Sequence, residues 1–258
     1  MKRRQLMRYA GATLVTAMGT AWASGLRPAV AQSSDRLSIQ WLGHTCFLFT
    51  GGNQRILVNP FRSLGCTAGY RTPSVASDLV LISSQLLDEG AIESLPGDPR
   101  LLYEPGVYQI GDIQVQGIRT DHDREGGRRF GTNVAWRWKQ AGINILHLGG
   151  VAGPISIEQK ILLGTPDVVL IPVGGGPKAY NPTEARQALK VISPKLAIPT
   201  HYRTQAADAN SCDIVQLEEF LNLMDGTPVR RTNSDTVTIS TADLPSSGAE
   251  IKVMSYRF

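Results

Sequence analysis

A chain of 258 residues, 42% hydrophobic and 19% charged, has material for one large domain or two small ones and the composition of a soluble globular protein. Its formal charge of +4 comes from the first 31 residues, which hold five of the 26 basic side chains (Lys2, Arg3, Arg4, Arg8, Arg27) and none of the 22 acidic ones. The rest carries 21 basic against 22 acidic groups, about −1, which removes the electrostatic footing for a nucleic-acid partner. Beyond the leader no apolar run is long enough to span a membrane.

The leader itself has a basic start, a weakly apolar segment from Tyr9 to Trp22, and Ala29-Val30-Ala31 before Gln32 in the form of a signal-peptidase site. Arg3-Arg4 with Leu6 shortly after, and an apolar segment broken by Gly11, Thr13, Thr16, Gly19 and Thr20, point to a twin-arginine signal. An ordinary secretory leader with adjacent arginines is the alternative. Residues 1–31 are therefore expected to be an export signal, and 32–258 a single domain delivered to a periplasm, a thylakoid lumen or the exterior.

In chain order, Leu37–Leu42, Cys46–Thr50 and Arg55–Val58 read as strands, the last two joined by the turn Gly51-Gly52-Asn53. Residues 62–77, rich in Gly, Pro, Ser and Thr, read as loop. Asp78–Ser83 is an apolar, β-branched run of buried-strand type. The spacing of Leu86, Leu87 and Ile92 then predicts a helix over Leu86–Leu95, ended by Pro96 and Pro99. Strands follow at Gly106–Ile110, Ile113–Arg119, Thr132–Trp138 and Ile143–Leu148, where Val134, Trp136 and Trp138 alternate with Ala135 and Arg137. A helix over Ser156–Leu163 precedes the apolar strand Asp167–Val173. Asn181-Pro182-Thr183-Glu184 opens a helix to about Ile192, with proline in its first turn. Leu196–Ile198 is a short strand, Asp213–Met224 a helix with Ile214, Leu217, Phe220 and Leu221 on one face, and strands near Val237 and Ile251 close the chain. Strands first, then strands interleaved with helices, predict two sheets with helices on their outer faces.

Cys46, Cys66 and Cys212 contain no Cys-x-x-Cys spacing, which disfavours a thiolate zinc site. One disulfide is open to Cys46 and Cys66, the nearest pair in sequence; three unbonded, buried cysteines fit equally well. The four histidines, His44, His122, His147 and His201, all fall next to strand ends or turns, where a lone histidine is more often a hydrogen-bonding residue than a ligand. Arg124, Arg128 and Arg129 follow His122 in a Gly-rich loop suited to a phosphate or carboxylate, or simply to solvent. Gly174-Gly175-Gly176 follows a strand without the lysine spacing of a P-loop, and Ser83-Ser84 lacks a Gly-x-Ser-x-Gly elbow.

Taken together, Trp41-Leu42-Gly43-His44, Val58-Asn59-Pro60-Phe61, Asp78–Ser83, His147-Leu148-Gly149, Asp167–Gly175 and Ile198–Tyr202 resemble, in this order, the metallo-β-lactamase superfamily. The nearest branch is that of metal-dependent hydrolases similar to ascorbate-phosphate lactonases. The resemblance implies an α/β fold, a four-layer αββα sandwich with a two-metal site at one edge. Where that family carries His-x-His-x-Asp-His, this chain reads Ser84, Gln85, Leu86, Leu87, Asp88, Glu89. Ser84 and Leu86 replace two histidines, Glu89 a third, Gly150 the bridging aspartate, and Asn59 a further aspartate. By resemblance, Asp88, Glu89, His122 and His201 are the metal ligands that remain, with Asp88 and His201 also in the chemistry. His44, Asn59, His147, Arg124 and Tyr202 support the site or touch substrate. This set suits one Zn, Mn or Fe ion, or none, and not the two-metal clamp. The expected function is hydrolysis of an ester, lactone or phosphoester on a small molecule; the alternative is a non-catalytic relative that keeps the cleft for a ligand or protein. If the family backbone persists, Ser84→His, Leu86→His, Glu89→His and Gly150→Asp together restore a two-metal site.

Overall fold

The structure, a computed structural model, describes residues 35–208 and 210–258; the expected export signal lies outside the described residues. Alternation builds the first strand, β1 (Leu37–Gly43), in which Leu37, Ile39 and Trp41 are buried and Ser38, Gln40 and Leu42 are half-buried. It pairs with β2 (Cys46–Gly51), which pairs with β3 (Gln54–Val58), both antiparallel. Two short strands, β4 (Leu79–Leu81) and β5 (Arg100–Leu102), extend the sheet in parallel.

A second sheet is built from antiparallel β6 (Gly106–Ile110), β7 (Ile113–Asp121), β8 (Thr132–Gln140) and β9 (Ile143–His147). Crossover units follow: α1 (Ile157–Leu163), β10 (Val168–Pro172), α2 (Pro182–Ile192) and β11 (Leu196–Thr200), with β9, β10 and β11 parallel. The chain closes with α3 (Leu217–Leu221), β12 (Val229–Arg231), β13 (Thr236–Ile239) and β14 (Glu250–Val253). The strand orders are β13-β1-β2-β3-β4-β5 and β12-β14-β11-β10-β9-β8-β7-β6. β10 and β11 are buried along their whole length, as parallel strands covered on both faces must be. The sheets meet through aromatic residues: Phe49 lies edge-on to Trp138 at 4.9 Å, and Phe47 to His147 at 6.0 Å between ring centroids. This is the expected α/β sandwich of paired sheets. Among the described residues no helix is long and apolar enough to cross a membrane.

Helix starts follow the sequence signals. Ser156 and Gln159 cap α1 reciprocally, and Asn181 and Glu184 do the same for α2, with Pro182 at its first position. Two expected helices differ. Over Leu86–Leu95 two separate turns form instead: in the first, Leu86 O accepts from Glu89 N at 3.0 Å and Gly90 N at 2.8 Å, and in the second, Ile92 O accepts from Leu95 N at 3.1 Å. A helix would next pair Ala91 N with Leu87 O. Instead Ala91 N donates to Pro60 O at 2.9 Å and Leu87 O accepts from Arg62 N at 2.7 Å. Segment 60–62 thus takes both partners and peels the chain open around Asp88. The helix over Asp213–Met224 shrinks to α3 because its first residues are extended: Val215 N donates to Gly174 O at 2.8 Å and Val215 O accepts from Arg203 N at 2.7 Å.

The cysteine pairing also differs. Cys66 bonds Cys212, while Cys46 is a buried free thiol inside β2. Proximity in sequence misled, because Cys46 is buried in the core and Cys66 sits in a 3-10 turn (Gly65–Thr67) lying against Ala206 and Asp208. Gly69 N donates to Ala206 O at 2.7 Å, and Asp208 N to Gly65 O at 3.0 Å.

Candidate metal centre

Five strand ends and their loops meet at one edge of the sandwich, where strand carboxyl ends and β-turns gather ligands. The two-residue turn between β1 and β2 carries His44, whose left-handed backbone (φ 52°) is what such a turn requires. Asn59, after β3, and His201, after β11, are also left-handed, at φ 51° and 49°, and no hairpin demands it there. Strain of about 1–3 kcal/mol at each is held by the surrounding structure and clusters at one place. The peeled segment after β4 brings Asp88, and the loop between β10 and α2 brings Lys178.

The donor atoms of His44, Asp88 and His201 lie within 4.8 Å of one another. The two imidazoles lie 4.4 Å apart between centroids, tilted by 48°, and both are buried. His44 Nδ1 and Nε2 and His201 Nδ1 have no hydrogen-bond partner within the protein. Burial, reinforced by Lys178 and only partly offset by Asp88, pushes His44 down to about 4; burial likewise drives His201 well below its ordinary range. Both are therefore neutral near pH 7, the form that binds metal. Burial works against ionisation of Asp88, but the Lys178 ammonium on its Oδ2 outweighs it and holds the carboxyl below its usual range. Two neutral imidazoles with unpartnered nitrogens and one carboxylate fit a single first-row ion. Tetrahedral donors stand about 3.3–3.5 Å apart around zinc, so closing the trio takes about 1 Å of side-chain movement.

Glu89 and His122 do not join this trio. They form a second, fully buried pair, with Glu89 Oε2 3.5 Å from His122 Nε2. Ser84 Oγ donates to Glu89 Oε2 at 2.9 Å and Asn59 Nδ2 donates to Oε1 at 3.3 Å, while Asn59 Oδ1 accepts from Ser83 N at 2.8 Å. Burial first, then the neighbouring Asp88 carboxylate, push Glu89 up to about 8, so it is protonated at neutral pH. His122 Nδ1 lies 2.5 Å from Gly150 O, and burial lowers its pKa. With Nδ1–H donating to that carbonyl, Nε2 is a buried nitrogen without a hydrogen-bond partner among the described residues, 3.5 Å from Glu89 Oε2. The Glu89 side chain is held by the hydrogen bonds from Ser84 and Asn59, apart from the donors of the trio. Gly150 packs so tightly here that a β-carbon would overlap His122 Cε1. Adding an aspartate at Gly150 therefore requires the His122 ring to leave its place, a cost the sequence does not show.

The residues expected to support the site fall into two groups. His147 is a cross-sheet pin: its Nε2 meets Thr45 O at 2.9 Å and its Nδ1 accepts from Gly149 N at 3.1 Å, which fixes the neutral tautomer with hydrogen on Nε2. It thereby holds the turn that carries His44. Arg124 is committed elsewhere, with Nε and Nη2 on the Glu184 carboxylate at 2.8 and 2.7 Å, and Nη1 and Nη2 on Gly176 O and Ala179 O at 2.9 and 3.0 Å. In this arrangement it clamps the 174–180 loop. Tyr202 is buried against Trp41 at 5.7 Å and serves packing.

Two residues were missed. Asp123 accepts from four backbone N–H groups, of Glu125, Gly127, Arg129 and Phe130, at 2.8–2.9 Å. Burial opposes its ionisation, and the four donors together overcome that and hold it at about 2, so this carboxylate organises the loop after His122. Lys178 stands at the trio; its place just beyond Gly174-Gly175-Gly176, at the carboxyl end of β10, was the available signal. A cleft of about 410 Å³ opens over the trio, walled by Arg62, Leu64, Cys66, Leu86, Gly175, Lys178, Asp213 and Ile214. That volume suits a small molecule.

Paired sheets with histidines and an aspartate converging at one edge define a class, the metallo-β-lactamase fold. A family model described as "Beta-lactamase superfamily domain" matches residues 38–201. A UPF0173 metal-dependent hydrolase of Methanoregula boonei is 30% identical over 202 residues, 67% of this chain and 87% of its own. One from Thermoplasma acidophilum is 28% identical over 192 residues, 66% of this chain and 85% of its own. A crystal structure of a metallo-β-lactamase superfamily protein from Thermotoga maritima superposes with a TM-score of 0.66 at 26% identity, covering 84% of this chain and 98% of that one. The chain belongs to the metallo-β-lactamase superfamily, among its metal-dependent hydrolases.

Proposed function

We propose that the protein is an exported hydrolase that uses a single metal ion, held by His44, Asp88 and His201, to cleave an ester, lactone or phosphoester of a small molecule. The observation that carries this reading is the convergence of those three donors within 4.8 Å, with imidazole nitrogens that nothing in the protein satisfies. A bound ion would polarise the substrate's carbonyl or phosphoryl oxygen and lower the pKa of water. The chain's own residues do the rest. His147 fixes the His44 turn, and Asn59 and Ser84 hold Glu89 next to Asp88. The missing bridging carboxylate at Gly150 and the replacement of family histidines by Ser84 and Leu86 support one ion rather than two.

The pairing of Lys178 with Asp88 favours a second reading, in which the cleft binds a ligand without metal and without catalysis. Elemental analysis of the purified protein separates the two: no more than one transition-metal ion per chain is expected, lost on His201→Ala. Two tightly held ions would show the ligand set to be wrong, and none under metal-replete conditions would favour the second reading.

Export is part of the proposal, supported by the leader and by a disulfide of the kind that persists in oxidising compartments. Changing Arg3 and Arg4 to lysine is expected to leave the precursor in the cytoplasm; undiminished export would point to the general secretory route instead.

A further inference from the structure

We propose that Lys178 is a built-in competitor for the metal position, an ammonium group that occupies the Asp88 carboxylate and must be displaced before an ion can take it. This rests on the reading of His44, Asp88 and His201 as the metal ligands. Lys178 Nζ donates to Asp88 Oδ2, and the two side chains are similarly part-buried, at 24% and 23% exposure. The pair is built rather than incidental. Lys178 sits on a loop pinned on both sides: Gly175 N donates to Tyr180 O at 2.8 Å, Gly174 O accepts from Val215 N at 2.8 Å, and Arg124 holds the carbonyls of Gly176 and Ala179. The lysine's backbone is thus fixed while its four-carbon stem remains free to turn toward the cleft.

A cation here acts on the whole trio. It neutralises the one ionised donor and places a positive charge beside His44 and His201, where a divalent ion would meet it. Two cations cannot share one carboxylate at contact distance in a part-buried site without mutual repulsion. Lysine and metal are therefore negatively coupled, and the apparent metal affinity is the intrinsic affinity reduced by the cost of turning Lys178 away. On this arrangement the centre is held to low affinity by its own sequence. It would be occupied where free metal is plentiful and released where it is scarce.

The test measures Zn²⁺ and Mn²⁺ affinity by competition with a chromogenic chelator at pH 7.5, on the purified wild-type protein and on Lys178→Met, Lys178→Gln and Lys178→Arg. Thermal unfolding of each variant checks that it is folded, and the two neutral variants guard against the failure of either. The expected result is one ion bound about ten- to a hundredfold more tightly by the Met and Gln variants, the usual size of such a coupling. Lys178→Arg, which keeps the charge, should stay close to wild type. Neutral variants that bind no more tightly than wild type, while His201→Ala still abolishes binding, would overturn the competitor role and leave the metal centre standing. Binding by none of the proteins would overturn both. Equal tightening by the Arg variant would show that shape rather than charge was at work, and would also overturn the proposal.

Discussion

Replacing Cys66 and Cys212 by serine is expected to lower the stability of the oxidised protein by about 2–5 kcal/mol, and its melting temperature by roughly 5–15 °C. The bond closes a loop with a sequence separation of 146 residues, so its main effect is to restrict the unfolded chain. In the folded state the same two segments remain tied by backbone hydrogen bonds, from Gly69 to Ala206 and from Asp208 to Gly65. The native geometry should therefore survive the substitution, and the loss should appear in denaturant midpoints more than in structure. Urea unfolding of the double variant, and of wild type with and without reductant, measures it. A double variant that unfolds at the wild-type midpoint would mean that the bond does not form or does not constrain the chain. Because Cys66 walls the cleft and Cys212 lies between the wall residues Ser211 and Asp213, ligand binding should weaken together with stability on reduction.

Acidification should destabilise the protein through His147 by about 3 kcal/mol between pH 6.5 and pH 4. The imidazole is fully buried, and burial, partly opposed by the bond to Thr45 O, pushes its pKa from 6.5 to about 4. In that window the unfolded chain takes the proton and the folded one does not. Stability from this group is thus fully present above pH 6.5 and lost as the pH falls toward 4. Protonation would also abolish the acceptor that Nδ1 offers to Gly149 N. Carboxylates contribute to acid unfolding as well, so the comparison is with His147→Gln, which keeps an N–H for Thr45 O but does not titrate. Denaturant unfolding at pH 7.5, 5.5 and 4.5 should show a steeper decline for wild type, with the gap between the two proteins narrowing toward acid. Parallel pH profiles would remove His147 as the cause.

Strands were legible where alternation ran for five residues or more, as in β1 and the first half of β7, because one buried face writes itself into the sequence with period two. The start of α2 was legible because Asn181, Pro182 and Glu184 each satisfy a local requirement of a helix terminus. β5 and β12 were not. Each has three residues, and only pairing with a distant strand makes it a strand. The helix expected after Asp78–Ser83 failed for the same reason from the other side: its local spacing is helical, but Pro60 and Arg62 compete for its hydrogen bonds. The chemistry was half legible. The sequence marks Asp88 and His201 as ligand types at strand ends. It does not show that His44 lies with them, that Glu89 turns to Ser84 and His122, or that Arg124 is taken by Glu184. Those are facts of convergence, and residues far apart in the chain carry no local trace of them.

That separation also sets a clock. His201 follows His44 by 157 positions (201 less 44), so a ribosome adding about 5–20 residues per second leaves roughly 8–30 s between the first donor and the last. During that interval β1 and β2 exist without β11, and the His44 turn has neither the neighbouring His201 ring nor, for most of it, the His147 pin. A centre built on all three donors can therefore close only after His201 has emerged; until then His44 and Asp88 are the only two of the trio in the nascent chain.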